Sequence, residues 1–196
     1  MKTELKGADF LRGYLIDLNL CDEISKLTIS EKDNSQEGRC GSRESIVNKE
    51  IKESNDLVLD NYPILFGGYM DELQKCLDCY MEEYNFCAEY SKFAVTAPTN
   101  IQRYEPKQGF HSWHTERGGA DNAVRDRHLV FMTYLNDVSD RGETEWFHQK
   151  LKVKPKKGLT VIWPADWTFT HRGISSPTQR KIIVTGWFSY VQKKLK

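Results

Sequence analysis

Lys181-Ile182-Ile183-Val184-Thr185-Gly186-Trp187 is the stretch on which the fold turns. β-Branched residues fill its centre, as in a strand. A period of two puts Lys181, Ile183, Thr185 and Trp187 on one face and Ile182 and Val184 on the other. The second face is wholly apolar and calls for a core. The first carries a lysine that would be costly to bury alone, so either that face meets solvent or a carboxylate waits for the ammonium. Arg180 points the other way and reads as a surface guanidinium.

Runs of the same texture precede it: Asn100 to Tyr104, Phe110 to Glu116, His128 to Leu135, Glu143 to Phe147, Leu151 to Val153 and Leu159 to Trp163. Lys181 to Val191 closes the series. Gly, Pro, Asn and Asp separate the runs. Lys150-Leu151-Lys152-Val153-Lys154 alternates cleanly and reads as a solvated outer strand whose lysines guard it against aggregation. So many short strands predict a sandwich, jelly roll or small barrel.

Before Lys92 the texture is helical. Tyr69, Leu73, Cys76, Leu77, Tyr80, Met81, Tyr84 and Cys87 form one apolar stripe, which predicts a helix from about 65 to 90 packed on a sheet. A short helix over 21–29 would be capped by Asn19 or Asp22. Residues 10–20 fit strand or helix equally. Residues 30–44 are polar with little to bury and read as a mobile surface loop. The expectation is one domain over 1–196, mainly β, with a helix-rich layer over 1–92 and a strand-built core over 93–192.

The chain has 196 residues, with 28 Lys+Arg against 28 Asp+Glu. A protein that holds polyanions by phosphate contacts usually has a basic excess, so nucleic acid is not expected as the main partner. Charges scattered through residues 1–20 break any signal-like apolar run, and no window approaches a spanning helix. Membrane is thus not expected, and a cytoplasmic location is the default. The five cysteines are an odd count, against a closed disulfide framework. Cys76 and Cys79 have redox or zinc spacing but no second ligand pair, so the helical-stripe reading is preferred.

His114-Thr115-Glu116 is the first group that could carry chemistry. In a strand, i and i+2 project from one face, so His114 and Glu116 can converge while Thr115 turns away. A second histidine, His171, lies late in the strand-rich region. Two imidazoles and a carboxylate on a β scaffold make the facial triad that holds non-haem Fe(II) and leaves coordination places open. His111, His128 and His148 are expected in structural places. Trp113 and Trp163 read as core or rim aromatics, and Arg172 as a surface residue.

From Gln102 to Tyr190 the chain resembles the prolyl 4-hydroxylase-like group of the 2-oxoglutarate/Fe(II)-dependent dioxygenases. The resemblance rests on an ordered string: Tyr104-Glu105-Pro106, Phe110, His114-x-Glu116, Tyr134-Leu135-Asn136, Gly142-Glu143-Thr144-x-Trp146-Phe147, Pro155-Lys156-Lys157-Gly158, His171-x-Gly173, Lys181 and Trp187. It covers nearly all of the C-terminal half and almost none of residues 1–60. It implies a double-stranded β-helix (jelly roll) with N-terminal helices packed on its major sheet, an α+β, mainly β architecture.

By position, the resemblance makes His114, Glu116 and His171 the catalytic metal ligands. Lys181, ten residues after His171, would pair with the far carboxylate of 2-oxoglutarate. Tyr134 would hydrogen-bond the same carboxylate, Tyr104 would line the cosubstrate pocket, and Thr185 and Trp187 would stand near the metal. The implied cosubstrates are 2-oxoglutarate and O2, with ascorbate as an auxiliary reductant. The implied reaction hydroxylates a prolyl or other amino-acid side chain, in a peptide or a small molecule, and releases succinate and CO2. Glu116 departs from the usual aspartate by one methylene, so its oxygen reaches the metal if the strand sits slightly further back. Two other readings stand beside this one: a cupin-like metalloenzyme that does not use 2-oxoglutarate, and a non-catalytic jelly-roll binding module. Residues 1–60 and the polar loop 118–126, placed where a substrate lid could be, are expected to shape recognition. Neither offers a readable code for the substrate, and nothing fixes the oligomeric state.

Overall fold

A computed structural model describes residues 2–3, 8–41, 45–119 and 121–191. Parts of the expected surface loop (42–44), of the candidate lid (120) and of the chain end (192–196) lie outside them. The elements run in the order β1 (Lys2–Thr3), β2 (Arg12–Leu15), α1 (Leu18–Ser30), β3 (Gln36–Glu37), β4 (Asn55–Val58), α2 (Pro63–Glu83), α3 (Phe86–Glu89), β5 (Phe93–Val95) and β6 (Asn100–Tyr104). The chain continues through α4 (Asn122–Arg125), β7 (Arg127–Tyr134), β8 (Thr144–Trp146), β9 (Leu151–Val153), β10 (Leu159–Pro164), β11 (His171–Gly173) and β12 (Lys181–Tyr190).

Two antiparallel sheets make the jelly roll. The larger has the order β1-β2-β10-β7-β12-β6-β4-β3, with β5 also paired to β12; the smaller is β11-β8-β9. β12 is the axis of the large sheet because its ten residues pair with β7 on one side and with β6 and then β5 on the other. Its alternation sorts the core. Ile182 and Val184 join Phe131, Ile162 and the α2 residues Tyr69, Leu73 and Leu77 in one apolar cluster. Ile183 joins Val130, Met132, Trp146, Val161 and Trp163 in a second cluster between the sheets. Gly186 is needed where β12 crosses β7, since a Cβ there would collide with the ring of Phe131.

Several elements differ from the sequence reading. The long helix ends at Glu83, and a separate turn, α3, follows it. α1 starts at Leu18 and is capped by Asp17, whose carboxylate accepts from Asn19 N, not by Asn19 or Asp22. Phe110 to Glu116 forms no continuous strand. It is held by two isolated bridges, Lys52↔Phe110 and His114↔His171. The supposed surface loop of 30–44 contains a 3₁₀ turn at Lys32–Asn34 and β3, which pairs with β4, and Cys40 is buried. Part of its hydrogen bonding is backbone pairing, which composition does not reveal. β9 is the edge of the small sheet, with Lys150, Lys152 and Lys154 exposed as expected. No helix among the described residues is long and apolar enough to cross a membrane.

Candidate active site

A cavity of about 480 Å³ lies beside the β12 face that carries Lys181, Ile183, Thr185 and Trp187, and all four residues line it. At one place His114, Glu116 and His171 bring one donor atom each to within 4.8 Å of one another, the one such group among the described residues. The backbone causes the convergence. His114 N donates to His171 O and His171 N to His114 O, both at 2.9 Å, so a narrow bridge holds the two histidines side by side.

Each imidazole is oriented from behind. His114 Nδ1 is 3.0 Å from Ser112 O, and His171 Nδ1 is 2.9 Å from Phe169 O. A carbonyl only accepts, so both Nδ1 atoms carry a proton and Nε2 is the ring atom each histidine turns to the cavity. Phe110 stacks on His114, with centroids 3.7 Å apart, and fixes the plane of that ring. The two Nε2 atoms lie 3.5 and 3.4 Å from the same oxygen, Glu116 Oε1. Burial alone would raise the Glu116 carboxyl, but the two imidazoles hold it well below the usual carboxylate range. Burial, with His114 nearby, pushes His171 down. Two imidazole Nε2 atoms and one carboxylate oxygen, aimed at one point, fit a divalent cation; nitrogen and oxygen donors without thiolate suit Fe(II).

Lys181 is 4% exposed and reaches the cavity from β12. Its Nζ donates to Gly142 O at 3.1 Å and Ile174 O at 3.4 Å, and lies 5.1 Å from the Tyr104 ring centroid. No carboxylate of the described residues stands within ion-pair distance. Burial pushes the ammonium down to about 8. An unpaired buried cation on a cavity wall is a seat for an anionic group supplied from outside.

The other expected residues divide. Trp187 Nε1 donates to Glu116 Oε2 at 3.0 Å. Thr185 lines the cavity while its hydroxyl donates to Phe131 O. Tyr104 is buried with its hydroxyl on Gln102 Oε1, and Gln102, not Tyr104, faces the cavity. Tyr134 does not line it either: its hydroxyl donates to Thr144 Oγ1 at 2.7 Å, and Thr144 is the residue on the wall. His111 contacts Ser175, His128 sits between Cys87 O and Tyr190 Oη, and exposed His148 packs by Trp167. Cys76 is buried and Cys79 exposed, with the Cys76 thiol pushed up to about 12 by burial, contrary to a reactive pair.

The sequence reading missed Arg127, Thr144 and the roof. Arg127 lines the cavity, with its guanidinium 3.6 Å over the Trp187 ring. The register of β7 on β12 shifts at Phe188/Ser189, leaving His128 unmatched. That bulge reverses the alternation, and counting by twos hides Arg127. Thr144 stands in a quoted motif and was findable there. Arg39, Cys40, Gly41, Ile46 and Ile51 line the cavity from the N-terminal part and form the roof.

The model of the "2OG-Fe(II) oxygenase superfamily" matches residues 99–189, the span that holds all three donors and Lys181. Residues 99–189 thus form a 2-oxoglutarate/Fe(II) oxygenase domain. The chain is an enzyme of the dioxygenase class, for which Fe(II) is the metal cofactor and 2-oxoglutarate and O2 are the cosubstrates. The cupin-like and non-catalytic readings are not favoured. No curated protein sequence matches the chain. Solved structures share the fold of this oxygenase. A viral collagen prolyl hydroxylase from Paramecium bursaria Chlorella virus-1, in a 2OG complex, is 19% identical with TM-score 0.67, covering 96% of this chain and all of that one. A Pseudomonas putida prolyl-4-hydroxylase is 14% identical with TM-score 0.70, covering 93% and 94%. A Trichoplax adhaerens prolyl hydroxylase, in complex with a hypoxia inducible factor peptide fragment, is 12% identical with TM-score 0.69, covering 90% and 83%.

Proposed function

We propose that this oxygenase hydroxylates a prolyl residue, or another amino-acid side chain, within a peptide, and that His114, Glu116 and His171 hold its Fe(II). One observation carries the reading: three convergent donors and an unpaired buried ammonium share one cavity. Bound there, Fe(II) and 2-oxoglutarate would supply the electrons that activate O2, one oxygen atom going to the substrate and one to succinate, with CO2 released. The chain's own residues do the rest. Lys181 takes the far carboxylate of 2-oxoglutarate, with Gly142 O and Ile174 O keeping its ammonium aimed at the wall. Thr144 offers a hydroxyl on the same wall, braced by Tyr134. Met132, Ile183 and Trp163 give that wall an apolar lining that excludes water.

The prolyl-hydroxylase neighbours, one of them in complex with a peptide fragment, support a peptide over a free small molecule. The test is succinate release from 2-oxoglutarate with Fe(II) across proline-containing peptides, other peptides and free amino acids, read with the mass of the product. Peptide-stimulated succinate with a gain of one oxygen on proline is expected. Stimulation by free amino acids alone would overturn the peptide reading, and no 2-oxoglutarate turnover under any condition would overturn the whole assignment.

A further inference from the structure

Glu116 has one more rotatable bond than the aspartate usual at its place, and a carboxylate can give a cation one oxygen or both. In this chain the second oxygen is already engaged. Oε2 accepts a 3.0 Å hydrogen bond from Trp187 Nε1, and Arg127 Nη1 stands 3.5 Å from it. Arg127 Nη1 also donates to Glu116 O at 2.8 Å, so it grips the residue by backbone and side chain together. The guanidinium stacks 3.6 Å over the Trp187 ring, so the two donors hold each other. Oε1 alone faces the imidazoles.

We propose that Trp187 and Arg127 are positioning residues that make Glu116 a one-oxygen donor and thereby leave the neighbouring coordination place to the cosubstrate. The inference rests on the metal-binding reading above and adds to it why a glutamate works here. A facial triad has three open places, of which the keto acid takes two and dioxygen one. A glutamate free to present both oxygens would take one of the three. An aspartate, one methylene shorter, cannot both face the imidazoles and span to Trp187 and Arg127, so the usual residue should be the poorer one in this chain.

The test is an anaerobic titration of the Fe(II)-loaded protein with 2-oxoglutarate, followed by the visible charge-transfer band of the chelate, with Fe(II) affinity measured separately against a competing chelator. Trp187→Phe keeps an aromatic ring under Arg127 and removes the donor. It should leave Fe(II) affinity within ~3-fold of the parent while weakening 2-oxoglutarate about tenfold, the worth of one charge-assisted hydrogen bond. Arg127→Met should change the two affinities in the same sense and serves if Trp187→Phe does not fold. Glu116→Asp should weaken 2-oxoglutarate binding in the parent, yet be neutral or restorative in Trp187→Phe, a non-additivity that a merely structural role would not produce. Unchanged 2-oxoglutarate binding in both positioning variants would overturn the proposal. So would parallel losses of Fe(II) and 2-oxoglutarate affinity that track lost thermal stability. A parent protein that shows no band at all would instead sink the metal and cosubstrate assignment itself.

Discussion

The two faces of β12 are built from one strand and obey different rules. Toward α2, Ile182 and Val184 meet Tyr69, Leu73, Leu77 and Phe131, and the polar atoms there, Tyr69 Oη and Thr133 Oγ1, satisfy each other at 2.8 Å. Toward the cavity, the same strand presents a buried ammonium and an indole tied to a carboxylate. The first face could be refilled with other apolar side chains of equal volume. The second keeps charged groups where burial opposes them, and such local violations mark functional ground. Stability and activity should therefore come apart across this strand.

The largest effects belong to the donors. His114→Ala or His171→Ala should abolish iron-dependent succinate release, and chelator treatment of the parent should do the same until Fe(II) is restored. Turnover that survived either would collapse the distinction between the faces. Next comes Lys181→Met, which should raise the 2-oxoglutarate KM by roughly 100-fold, as expected when one partner of a buried charge pair is removed. The Tm of the cosubstrate-free protein should hold or rise, because a desolvated ammonium has gone. Leu73→Ala is the converse case on the other face. It should cost about 2–5 kcal/mol in denaturant unfolding and leave KM and kcat per folded molecule unchanged. If Lys181→Met lowered stability as much as Leu73→Ala, the cavity face would be ordinary core.

A smaller effect follows from pH. The Lys181 ammonium titrates at about 8 in the fold, against 10.5 ordinarily. Between those values the unfolded chain binds the extra proton and the folded chain does not, so this group makes stability increase with pH across that window. Cosubstrate binding has the opposite slope. The far carboxylate needs the protonated form, so 2-oxoglutarate affinity should hold below about pH 8 and fall above it, by up to tenfold per unit. Titrations at pH 7, 8 and 9 would show it, and Lys181→Met should flatten the profile.

What the sequence could show follows the same division. α2 was legible because Tyr69, Leu73, Cys76, Leu77 and Tyr80 must all bury on one stripe, and β12 because its β-branched alternation sorts two environments. His114, Glu116 and His171 were legible as residue types in order, but their convergence depends on a two-residue backbone bridge that no local pattern encodes. Arg127 was hidden by the bulge beside His128, which reverses the parity on which strand reading depends. The segment 30–41 was hidden because its contribution is backbone pairing and part of the cavity lining, and polar composition says nothing of either. β4, Asn55-Asp56-Leu57-Val58, lacks alternation and is a strand because β6 pairs with it.

Tyr134 gives the smallest and most discriminating effect. The resemblance sets its hydroxyl directly on the cosubstrate carboxylate, whereas the structure puts it on Thr144 Oγ1 at 2.7 Å with Val153 O at 3.3 Å, and Thr144 on the cavity wall. If Thr144 is the contact and Tyr134 its brace, Tyr134→Phe removes one buried hydrogen bond. It should cost about 1 kcal/mol of stability and change the 2-oxoglutarate KM by only ~2–3-fold, since the Thr144 hydroxyl survives but is less firmly oriented. Thr144→Val removes the wall hydroxyl itself and should raise KM several times more. The reverse order, with Tyr134→Phe the worse variant for 2-oxoglutarate and the milder one for stability, would mean that the phenol leaves Thr144 and turns to the ligand. The polar wall of the cavity, which Arg127 already carries onto the start of β7, would then reach the far end of that strand.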